Sequence, residues 1–186
     1  MHSKTLSPKC ALYLALILNF AAINLNAAEV LNTIEFLGLT SKLPASWIEE
    51  KPSSGMRLAQ FRIPGSDKNS HANLVLFFFG QGQGGSAQAN IARWQSQFSK
   101  PEGGAVEPAI EAMDVNGMPA TVVELRGDYA RGAGMGPVGT AAPDQILLAS
   151  ILESPQGNIY IQLHGPAATV AMHRESYMQF IRAIKP

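Results

Sequence analysis

Cysteine is almost missing from this chain. The only one is Cys10, and it precedes the apolar run near the N-terminus. One cysteine cannot build a disulfide framework or a thiolate metal site. A lipoprotein cysteine belongs at the far end of such a run, so lipidation is excluded. Charge of one sign is missing too, since 14 basic side chains stand against 14 acidic ones. With no basic stripe or polybasic cluster, a nucleic-acid binder and a protein held on anionic membrane are both disfavoured. The apolar run at 11–25 is 15 residues long and includes Asn19 and Asn24, short of the ~20 apolar residues that a membrane span requires. No G-x-S-x-G elbow, internal repeat or local Ser/His/Asp set occurs, which removes the usual signatures of a nucleophilic enzyme.

What is present begins with an address. His2, Lys4 and Lys9 form a short basic head, the run at 11–25 is apolar, and Asn26, Ala27 and Ala28 are small or polar. Basic, apolar and small in that order reads as a secretory signal peptide at 1–28, cut near Ala27 or Ala28. Residues 29–186 are then expected to form one domain in the periplasm or outside the cell. Losing Lys4 and Lys9 leaves the mature chain slightly acidic.

The mature chain reads as strands with two helices. Strands are expected at 33–37, 56–63 and 73–79, the second alternating and the third apolar on both sides, as in a covered central strand. At 86–99, Ala87, Ile91, Trp94 and Phe98 share one helical face, with Ser86 as N-cap. Asn116-Gly117 between apolar runs at 109–115 and 118–126 signals a two-residue hairpin, whose turn needs positive φ twice. A loop is expected at 127–143. A second hairpin, at 145–153 and 158–164, turns on Ser154-Pro155-Gln156-Gly157. Pro166 opens a last helix to about Ile184, with Val170, Tyr177, Phe180, Ile181 and Ile184 on its apolar stripe. Consecutive hairpins imply a largely antiparallel sheet of about six or seven strands with two main helices packed on it, an α+β fold.

This order, with a last segment of the form Gly-Pro-x-x-Thr-Val…Phe-x-x-x-Ile at 165–184, resembles the PsbP-like α/β/α sandwich. More narrowly, segments 56–61, 82–94 and 163–167 resemble small exported bacterial proteins of unknown function. The resemblance covers most of the mature chain and implies an accessory or interaction module more than an enzyme. Function does not follow from fold.

Candidate sites are few. Residues 80–85 fit G-x-G-x-x-G between a strand and a helix, a geometry that lets free amides meet an anion. No parallel strand with a terminal acid follows at the distance a dinucleotide unit needs, the rest of the chain pairs as hairpins, and no Lys-Ser/Thr follows for a P-loop. Gly82, Gly84, Gly85 and Ser86 are therefore candidates for holding a small ligand, against the plainer reading of a glycine-rich connection. The loop at 127–143 contains Tyr129, a stacking group, and Arg131, its only cation. Loops beyond ~12–15 residues are often functional or disordered, so Tyr129 and Arg131 join the list. His71, His164 and His173 lack metal-ligand spacing, and Met113, Met118, Met135, Met172 and Met178 suit core filling better than a soft metal. Glu49-Glu50-Lys51 reads as a solvated edge, and Trp47 and Trp94 read as core anchors.

The sequence thus points to a non-catalytic exported binding or accessory module. Its partner would be a protein or a small ligand, with no cofactor, no nucleic acid and no stable membrane insertion, and the chain a monomer. Two alternatives stand beside it: a cell-envelope hydrolase whose site forms only in three dimensions, and a small-anion or metal carrier.

Overall fold

The computed structural model describes residues 30–130 and 140–186. The expected leader at 1–28 and Arg131 lie outside the described residues. In chain order the elements are β1 (Leu31–Phe36), β2 (Leu39–Pro44), β3 (Ile48–Glu50), β4 (Arg57–Ile63), β5 (Ala72–Phe78) and α1 (Ala87–Gln95). Then come β6 (Phe98–Ser99), β7 (Ala109–Val115), β8 (Met118–Tyr129), β9 (Ala142–Ser154), β10 (Gly157–Pro166) and α2 (Ala167–Arg182).

An antiparallel sheet of eight strands runs β3-β4-β5-β10-β9-β8-β6, with β7 also on β8, and β1 and β2 form a separate hairpin. The fold is α+β, as expected, with three strands more than the sequence reading placed. One is β2, where Leu39, Ser41 and Leu43 alternate inward. Its turn had no glycine pair to announce it, because Leu37 shares the left-handed region with Gly38 (φ 49° and 71°). Another is β3, a three-residue edge on β4.

The third, β6, corrects the first helix. Ser86 caps α1 as expected, its hydroxyl accepting from the Ala89 amide at 3.1 Å. The helix stops at Gln95, however, and Phe98 and Ser99 pair with Tyr129 and Asp128 of β8. Sheet pairing wins over helical periodicity here, and Phe98 still reaches the core that Trp94 enters. The loop expected at 127–143 shrinks from both ends for the same reason. β8 continues to Tyr129 and β9 begins at Ala142, Tyr129 pairing with Ala142 beyond a bulge at Gly127. Gly127 is glycine because a Cβ there would stand 2.3 Å from the Ser99 carbonyl oxygen.

The two faces of the large sheet are covered unequally. One face meets α2 and the β1–β2 hairpin. Leu74, Leu76, Ile161 and Leu163 pack there against Val170, Tyr177, Phe180 and Ile181, all buried. Three polar contacts register this layer. Ser41 Oγ donates to the Phe180 carbonyl at 2.6 Å, Thr169 Oγ1 donates to the Ser70 carbonyl, and the Tyr177 hydroxyl lies 2.8 Å from Ser150 Oγ and 3.0 Å from the Ile161 carbonyl oxygen. Trp47 Nε1 donates to His173 Nδ1 at 3.2 Å, so His173 is left with its Nε2 hydrogen, which points to the Pro64 carbonyl at 2.9 Å. The opposite face meets α1 and the segment that follows it, through Phe98 and Val106. Trp94 and Phe98 seal Val123, Leu125, Leu147, Ala149, Ile151 and Tyr160, and this cover ends at half-buried Phe77 and Phe79.

Candidate functional site

Because α1 is short, part of its sheet face stays open, and the open part is a groove. Side chains on a strand alternate faces, so β5 gives the groove Asn73, Val75 and Phe77 while Leu74 and Leu76 go to the main core. Cross-strand pairing extends these residues into rows. Val75 opposes Gln60 on β4 and Gln162 on β10, while Asn73 opposes Arg62 and His164. Two connected lobes result, each of about 350 Å³, sharing Phe77, Gln97, Tyr129 and Gln162. Arg93 and Trp94 of α1 wall one lobe, and Arg57 and His164 line the other.

The wall residues are held in place. Arg57 puts its guanidinium carbon 5.4 Å from the centre of the Phe77 ring and donates to Gln60 Oε1 at 2.5 Å. Tyr129 has its ring 4.2 Å from that of His164 and 5.2 Å from that of Phe98. Three half-buried side-chain amides, on Asn73, Gln97 and Gln162, face the groove, and among the described residues none of them has a hydrogen-bond partner. With no protein partner, these amides are donors and acceptors open to water or to whatever enters.

Electrostatics single out two residues. Of the arginines among the described residues, Arg62, Arg126, Arg174 and Arg182 each pair with a carboxylate. Arg57 and Arg93 do not, and both line the groove, where no acidic side chain of the described residues stands.

The glycine turn serves this site indirectly. Gly80, Gly82, Gly84 and Gly85 all have positive φ. The carbonyl of Gly84 accepts from Asn90 Nδ2 at 2.7 Å, that of Ser86 accepts from the same nitrogen at 3.0 Å, and Asn90 Oδ1 accepts from Arg93 at 2.6 Å. The turn therefore holds Asn90, and Asn90 holds Arg93 at the groove wall. Of the residues singled out in the sequence, Tyr129 lines the groove, Gly84 and Ser86 reach it through this chain, and Gly82 stands apart with open space around it. Gly85 takes the Tyr160 phenol on its carbonyl at 2.9 Å. Arg57, Asn73, Phe77, Arg93, Gln97 and Gln162 went unnoticed. The one available hint was a polar residue, Asn73 or Gln162, on a strand whose other face is wholly apolar.

Among the described residues no group of three or more His, Asp or Glu side chains could hold a metal ion, and no helix is long and apolar enough to cross a membrane.

No family model and no curated protein matches this chain. Among solved structures it is similar to the cyanobacterial PsbP, CyanoP, of Synechocystis sp. PCC 6803, with 15% identity, 87% of this chain and 95% of that one covered, and a TM-score of 0.52. It is also similar to a protein of unknown function from Pseudomonas aeruginosa, with 14% identity, coverage of 84% and 96%, and a TM-score of 0.46. The Ran-binding protein Mog1p of Saccharomyces cerevisiae follows at 8% identity, coverage of 85% and 96%, and a TM-score of 0.47. At such identities the likeness is one of fold alone. The chain has a PsbP-like α+β fold.

Proposed function

We propose that this protein is an exported, non-catalytic binding module that takes its ligand in the groove between α1 and the open half of the sheet. In this reading 1–28 is a cleaved leader, 29–186 is one PsbP-like domain, and the monomer works in the periplasm or outside the cell. The observation that carries the reading is the set of three half-buried amides without a protein partner, Asn73, Gln97 and Gln162, brought to one groove from β5, the α1–β6 connection and β10. A sheet face that served only packing would have apolar side chains there. Lobes of about 350 Å³ match the lower end of small-molecule sites.

Two experiments test it. Expression of the full chain and N-terminal sequencing of the exported product should find Ala28 or Glu29 first, whereas full-length chain kept in the cytoplasm overturns export. Thermal unfolding against a panel of small organic acids, amines and neutral amides should show stabilisation by at least one compound, since a ligand that binds only the folded state raises its stability. That stabilisation should vanish in Gln162→Trp, which fills the groove. Stabilisation unchanged by Gln162→Trp, or none across the panel, overturns the groove as the site.

A further inference from the structure

We infer that the groove selects a small organic anion, a carboxylate borne on a flat aromatic ring. The inference rests on the reading of the groove as a ligand site and adds the chemical class of what enters. Charge supplies the first half of the argument. The chain as a whole has balanced charge, yet among the described residues the groove is lined by Arg57 and Arg93 and by no acid. Four of the six described arginines already have carboxylate partners, with N–O distances of 2.9–3.6 Å, so the two at the groove are the ones left for a carboxylate from outside. A guanidinium fork offers parallel donors that match a carboxylate's two oxygens. Both forks are also restrained beforehand, Arg57 by Phe77 and Gln60 and Arg93 by Asn90, which lowers the entropy lost on binding.

Shape supplies the second half. The walls carry aromatic rings: Phe77 and Phe79 lie parallel, 3° apart in plane, and Tyr129 lines both lobes along with Phe77. Rings at such a wall take a flat partner face to face or edge to face. The amides of Gln97 and Gln162 line both lobes together with Phe77 and Tyr129, where they can hydrogen-bond a ring substituent.

Chemical-shift titration of the folded protein distinguishes the possibilities with three probes: naphthalene-2-carboxylate, its neutral counterpart naphthalene-2-carboxamide, and acetate. The carboxylate should shift the backbone amides of Phe77 and Gln162 and bind about tenfold or more tighter than the carboxamide, with acetate weaker still. Arg57→Gln or Arg93→Gln, whichever fork holds the carboxylate, should weaken it about tenfold, and no loss in either variant overturns the anion inference, while Arg174→Gln, which removes an arginine already paired with Glu124, should change nothing. Equal affinity for the carboxamide overturns the anion inference and leaves the groove a site for neutral rings. Acetate binding as well as the naphthoate overturns the ring. No shift at Phe77 or Gln162 with either naphthalene probe overturns the inference altogether, and the groove reading is then decided by the thermal panel alone.

Discussion

Tyr160 donates its phenolic hydrogen to the carbonyl of Gly85 at 2.9 Å, and the residue before, Gly84, approaches the same ring so closely that a Cβ there would stand 2.7 Å from the hydroxyl oxygen. The ring belongs to a central strand and the glycines to the turn that leads into α1. The glycine-rich turn thus grips the sheet through Tyr160.

This grip predicts unequal costs. Gly84 has φ of 90° and tight neighbours, while Gly82 has φ of 69° and nothing within 4 Å. Gly84→Ala adds a clash to the backbone strain and should cost about 3–5 kcal/mol. Gly82→Ala should cost only the strain, about 1–2 kcal/mol. Urea unfolding of both variants measures this, and equal losses would mean that the turn does not grip Tyr160.

Trp94 is 2% exposed and joins α1 to the second core. Its replacement by alanine should destabilise the fold by about 3–5 kcal/mol. A change within error in the denaturation midpoint would show that α1 is not seated on the sheet as described.

Alkali should weaken the protein through Tyr177. Burial raises its phenol well above the usual tyrosine value, and the hydrogen bond with Ser150 only partly opposes this. The folded state therefore keeps a proton that the unfolded chain releases above about pH 10. Stability is full below that pH and falls as pH rises, by about 1.4 kcal/mol per pH unit. Tyr177→Phe should remove that slope while costing about 1–3 kcal/mol at neutral pH, from the lost hydrogen bonds. Persistence of the same slope in the variant would assign it to other groups.

His173 should be the Nε2–H tautomer, because Trp47 Nε1 can only donate to Nδ1. Nitrogen-15 chemical shifts of the ring report this directly. His173→Ala should cost about 1–3 kcal/mol by stripping Trp47 and the Pro64 carbonyl of partners, and an Nδ1–H tautomer would contradict the contact.

How far the sequence reaches can be judged on particular residues. Asn116-Gly117 fixes its hairpin because both residues must take positive φ, and they do so at 52° and 86°. The stripe from Val170 to Ile184 fixes α2 because one helix face must leave water, and each of its five residues is buried. Leu37, by contrast, sits in the left-handed region with no sequence sign of it. It does so while its carbonyl accepts from Gln156, 119 residues away. Phe98 has perfect helical spacing from Trp94 and still pairs as a strand, because Tyr129 is there to receive it.

Local pattern by itself determined the α+β class, the two long hairpins, the Ser86 cap and the apolar face of α2. All of these follow from periodicity, capping and turn chemistry within a few residues of one another. Tertiary structure alone decided that β5 lies beside β10, and with that the groove. Its row of Gln60, Val75 and Gln162 joins three strands through antiparallel pairings, and Arg93 comes to its wall from a helix. No local rule links such positions, since strand neighbours are chosen by how the whole sheet buries its apolar side chains.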